Sequence, residues 1–69
     1  MSFDTYSNSE ITDAIISVLS NKHDQHIIYS RLVCGKPWHD LFIVTKDSKR
    51  HYERLCSKVY KKLEEKNNG

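Results

Sequence analysis

The sequence predicts a small α+β domain of the order helix, β-hairpin, helix (αββα), on three observations. A capping signal followed by an apolar stripe of helical period opens the chain. Two short segments dense in β-branched and aromatic residues flank a Gly-Lys-Pro-Trp turn in the middle. A long amphipathic, strongly basic segment closes it. The alternative is an all-α domain, with a helix-turn-helix in place of the hairpin. Sixty-nine residues make one domain, residues 1–69, with an ordered core expected over about 6–66. A chain of this size buries only about 60% of the surface its unfolded form exposes. It therefore leans on a partner, a metal or a disulfide for added stability.

Helix is expected over residues 8–20. Ser7 and Glu10 form a capping box, and Tyr6 and Ile11 sit at the staple positions. Ile11, Ala14, Ile15, Val18 and Leu19 then give a continuous core stripe. Ser20 and Asn21 end the segment, Asn being tolerant of the left-handed conformation at a helix C-terminus.

In the middle, residues 26–34 and 40–45 read as the two strands, because Ile27-Ile28-Tyr29 and Phe42-Ile43-Val44-Thr45 are poor helix formers. The competing all-helical reading makes Asp24 a helix cap, Gly35 a helix stop and Pro37 the first residue of a further short helix. A hairpin here would be apolar on both faces and open along both edges, which predicts a homodimer or an obligate complex with another protein. Tyr29, Trp38 and Phe42 are the candidate residues of that interface. Trp38 reads either as a cap over the core or as an exposed anchor.

Helix is expected again over residues 48–65. Tyr52, Leu55, Cys56, Val59 and Leu63 share one face, while Arg50, Arg54, Lys58 and Lys61 share the opposite one, with Lys62 on its flank and Lys49 near the start. Residues 46–66 hold eight Lys/Arg against four Asp/Glu, a net charge of +4; the remainder of the chain carries −2. Like charges at i,i+4 cost a helix a few tenths of a kcal/mol per pair, a cost that an anionic partner removes. The polar tail Asn67-Asn68-Gly69 is expected to fray.

Chemistry beyond binding has little support. Cys34, His39, His51 and Cys56 show a C-x4-H…H-x4-C spacing that superficially suits zinc. His51 and Cys56, five apart on a helix, would diverge by about 140°, so no metal site is expected. No cofactor is expected either, since the chain has only Gly35 and Gly69 and no phosphate-cradling loop. A Cys–His pair without an orienting third group argues against an enzyme. The polar, acidic N-terminus and the lack of a long apolar run predict an intracellular protein, cytoplasmic or nuclear, with reduced cysteines and no membrane association.

The order helix, strand, strand, basic helix, with Ser48-Lys49-Arg50 opening the last helix, is similar to that of double-stranded-RNA-binding domains, whose last helix presents basic residues to phosphates. The likeness covers the second half of the chain. Thr45 to Ser48 leaves no space for the third strand, and Tyr52, Leu55 and Tyr60 stand where the family has small residues. The function expected is a non-enzymatic nucleic-acid-binding module, acting as a dimer, whose Lys49, Arg50, Arg54, Lys58, Lys61 and Lys62 contact the phosphate backbone. The alternative is a protein-interaction subunit or regulatory adaptor that associates through the hairpin edge and Trp38.

Overall fold

The computed structural model describes residues 5–68, with side chains through Lys66. It contains three α-helices: α1 (Asn8–Val18), α2 (Lys22–Leu32) and α3 (Lys46–Asn68). A single-turn 3-10 helix, Trp38–Asp40, lies in the connection between α2 and α3. No strand occurs among the described residues. The expected α+β hairpin is therefore corrected to an all-α fold. The likeness to double-stranded-RNA-binding domains, which needed the two strands, lapses with it.

The first helix starts where its cap directs. The Glu10 amide donates to Ser7 Oγ at 3.2 Å and the Ser7 amide to Glu10 Oε1 at 3.1 Å. It ends at Val18, two residues earlier than expected, because Asn21 does not serve as its stop. Asn21 is extended (φ −84°, ψ 119°) and caps α2 instead, its Oδ1 accepting from the amides of His23 (2.8 Å) and Asp24 (3.2 Å). The cap thus falls three residues before the Asp24 of the all-helical reading. The Gln25 side-chain amide donates to the Leu19 carbonyl and ties the short connection to α2.

The second helix takes the segment expected as the first strand. Its inward stripe is Asp24, Ile27, Ile28, Arg31 and Leu32, spaced i, i+3, i+4, i+7, i+8, with Ser30 buried beside it. Ile27 and Ile28 are fully buried. That burial outweighs a propensity deficit of at most a few tenths of a kcal/mol per residue. Gly35, at φ 71°, takes the left-handed conformation that ends the helix, and the Lys36 amide donates to the Ser30 carbonyl at 3.1 Å.

Without a first strand, residues 40–45 have nothing to pair with. Pro37 (φ −71°) precedes the 3-10 turn as its cap rather than as its first residue. Leu41 and Phe42 pack on the core, and Ile43 is left 89% exposed.

The third helix begins two residues before the expected start, because Thr45 and Ser48 form a reciprocal cap. The Thr45 amide donates to Ser48 Oγ (2.8 Å) and the Ser48 amide to Thr45 Oγ1 (3.1 Å). It continues through Asn68, so the backbone of the tail is helical that far; Gly69 lies outside the described residues. Tyr52, Leu55, Cys56, Val59 and Leu63 meet Ile11, Ala14, Ile15 and Leu19 of the first helical segment and Ile27 and Ile28 of α2 in one core. No described helix is long and apolar enough to cross a membrane.

Candidate nucleic-acid interface

Everything on α3 follows from which side its apolar stripe occupies. With the stripe buried, Lys46, Lys49, Arg50, Arg54, Lys58 and Lys61 are all solvent-exposed, and Lys62 is half-buried on the flank. Lys46, Arg50, Arg54 and Lys58 form an unbroken i,i+4 ladder of four cations spanning about 18 Å of helix axis. Among the described residues, no lysine or arginine nitrogen comes within 4.0 Å of a carboxylate. The basic–acidic contacts within that distance are His39 Nε2–Asp40 Oδ1 at 3.4 Å and His51 Nε2–Asp24 Oδ2 at 3.9 Å, which carry charge on both sides only when the imidazole is protonated. The ladder's charge is directed outward, and no carboxylate among the described residues is in contact with it.

At the N-terminal half of α3 a shallow open groove is bordered by Lys46, Lys49, Arg50, Glu53, Arg54 and Ser57. The structure therefore gathers three of the six expected basic residues, Lys49, Arg50 and Arg54, around one depression. Lys58 and Lys61 lie outside its lining, farther along the helix. Lys46, Glu53 and Ser57 were not singled out by the sequence reading. The Thr45-x-x-Ser48 cap is the signal that would have moved the helix start to Lys46 and exposed the four-rung ladder.

The opposite face of α3 carries an aromatic cluster. Tyr52 packs against Phe42 (ring centroids 4.4 Å) and Trp38 (6.2 Å), and Trp38 against Phe42 (5.4 Å). Trp38 and Phe42 are half-buried here, whereas Tyr29, the third residue expected at a partner interface, lies at 38% exposure beside a groove between α1 and α2. That groove is lined by Ile15, Ile16, Gln25, His26 and Tyr29 among others, and Ile16 is 60% exposed. The three expected interface residues thus belong to two separate places.

Two titratable groups on the packed face are perturbed. Burial raises the Tyr52 phenol above its ordinary value of 10.0, and the charge of Asp24 and a hydrogen bond to it add to the rise. Burial pushes the Cys56 thiol up to about 11, the nearby Arg31 charge opposing and Glu53 reinforcing. Cys34 is exposed and both cysteines are free thiols. No three His, Cys, Asp or Glu side chains among the described residues converge as a metal site requires.

No protein-family model, curated protein or solved structure matches this chain. The geometry of α3 is what bears on its role.

Proposed function

We propose that this protein is a small non-enzymatic nucleic-acid-binding module, acting inside the cell in the cytoplasm or nucleus, that grips phosphate with the outward face of α3. One observation carries the reading: four consecutive i,i+4 cations stand exposed on α3, and none is within 4.0 Å of a carboxylate among the described residues. Each like-charge pair opposes the helix by a few tenths of a kcal/mol, and among the described residues no carboxylate closes an ion pair with a rung of the ladder. A polyanion would offset that cost, while releasing the counterions condensed on its own backbone. Lys49 beside the ladder and Lys61 beyond it extend the same surface.

The test is binding of a labelled duplex by the wild type and by the double variant Arg54→Glu, Lys58→Glu. The variant should keep the fold, since both side chains face solvent, and lose at least tenfold in affinity at low salt. Leu55→Ala is the control on the packed face: it should lower stability, by about 2–5 kcal/mol for a buried leucine, and leave binding by the folded fraction intact. Equal binding by the double variant would overturn the reading.

A protein-interaction role is the second reading, and exposed Ile16 is the observation that favours it. With no hairpin edge available, association would run through the α1–α2 groove, with a second copy of the chain as the occupant. The groove's apolar lining, Ile15, Ile16 and Tyr29, offers one and the same patch to a second copy, as a self-complementary contact needs. Sedimentation of the wild type and of Ile16→Glu checks it. A concentration-dependent dimer lost in the variant supports it, and a monomeric wild type at high micromolar concentration defeats it.

A further inference from the structure

The groove on α3 is not uniformly basic, and its one acidic residue is informative. At 3.6 residues per turn, Lys46, Arg50, Glu53 and Ser57 fall within about 60° of one another around the axis. Lys49 lies to one side of that line and Arg54 to the other, about 140° apart. All six are solvent-exposed. Glu53 therefore sits in the middle of a surface flanked by cations. Its carboxylate nevertheless stands more than 4.0 Å from every one of those cationic nitrogens. At this residue Ser57 Oγ donates to the backbone carbonyl of Glu53 at 3.2 Å.

On a surface facing only phosphates, a central carboxylate would be repelled. The arrangement makes sense when the line through Glu53 faces base edges and the two flanks face the backbones on either side. An α-helix is about 10–12 Å across with its side chains, which the roughly 12 Å major groove of B-form DNA admits. The deep, narrow major groove of duplex RNA does not. In the DNA groove a carboxylate has one suitable partner, the cytosine N4 amino group, since the other base-edge groups besides adenine N6 are acceptors or methyl. Adenine N6 adjoins the N7 acceptor, which repels a carboxylate and favours an amide side chain instead.

We propose that the N-terminal half of α3 lies in the major groove of duplex DNA, with Glu53 as a specificity-determining residue whose carboxylate accepts a hydrogen bond from a cytosine N4 amino group. Lys49 on one side and Arg54 and Lys58 on the other meet the phosphates of the two strands, and the long side chains of Lys46 and Arg50 reach outward from the line to the same phosphates. The inference rests on the phosphate-binding reading above and adds to it a substrate class and a base.

The experiment is selection of binding sites from a random duplex DNA library by the full chain, as wild type, Glu53→Ala and Glu53→Gln. Affinities for the selected site, its single-base-pair variants and a duplex RNA of the same sequence are then measured across salt concentration. The wild type should enrich a site with a fixed cytosine and prefer it on the order of 10- to 100-fold over other bases at that position. Glu53→Ala should bring that ratio close to one and leave the salt slope unchanged. Glu53→Gln should shift the preference toward adenine, the base an amide pairs with. Duplex RNA should bind more weakly than the selected DNA. Salt-dependent binding with no base enriched would overturn the inference and leave the phosphate-binding reading standing, as would a motif that both Glu53 variants reproduce, or duplex RNA bound as tightly as DNA. No binding to any duplex would overturn both.

Discussion

The guanidinium of Arg31 lies over the indole of Trp38, 4.7 Å from the ring centroid, and its Nη1 donates to the Lys36 carbonyl at 3.2 Å. One side chain of α2 thereby fixes both the Gly35 turn that ends the helix and the 3-10 turn that follows. Trp38 in turn stacks on Phe42 and Tyr52, so the pair links α2 to α3 through a segment without regular structure of its own.

Truncating Arg31 to Ala should cost about 1–2 kcal/mol through the lost cation–π contact and hydrogen bond. Trp38→Ala should cost more, about 3–5 kcal/mol if the cluster fails to collapse into the space. Urea denaturation of both singles and the double checks it. A coupling of about 0.5–1 kcal/mol is expected, and strict additivity would mean that the two residues act separately.

Asn21 separates the observed fold from the hairpin most sharply. Its Oδ1 caps α2, so Asn21→Ala should lower stability by about 0.5–2 kcal/mol and Asn21→Asp should preserve it. In a hairpin the same residue would sit in a loop before the strand, and the alanine change would be close to neutral. Amide exchange gives a second check: protection through residues 25–32 should follow a helical and not an alternating pattern.

The reason the second helix was illegible lies in two residues. Its inward stripe is helical in period, but two of its five positions are Asp24 and Arg31, so apolar periodicity shows only Ile27, Ile28 and Leu32. Those charges are tolerated because Asp24 meets Tyr52 and His51 while Arg31 meets Trp38, partners distant in sequence that no local pattern announces. The first and third helices carried no such exceptions, and their caps and stripes were readable. The basic face of α3 was legible for the same reason, since the core stripe opposite it leaves no choice of side. Its groove was not, because the Thr45–Ser48 cap that brings Lys46 into the helix is weaker in sequence than a cap completed by Glu or Gln.

Alkaline pH should destabilise the protein in a defined window. The Cys56 thiol is held near 11 in the fold against about 9 when exposed, so the native state keeps its proton longer than the unfolded one. The stabilisation is complete below pH 9 and is lost as pH rises from about 9 to 11, by about 2–3 kcal/mol at most. The raised phenol of Tyr52 adds a loss in the same direction beginning above pH 10. Stability measured from pH 7 to 11 should fall more gently for Cys56→Ala than for the wild type, although the variant is less stable at pH 7. Parallel curves would show that the thiol does not contribute.

The phosphate-gripping role of the α3 ladder is tested most directly by the slope of log affinity against log salt for duplex binding, in the wild type and in the single-rung variant Arg54→Gln. Each neutralised phosphate contributes about −0.9 to that slope in B-form DNA. A wild-type slope of about −3 or steeper is predicted, with Arg54→Gln shallower by about 0.9 and weaker on every sequence alike. A flat slope in the wild type, or an unchanged slope when Arg54 is neutralised, would contradict the account.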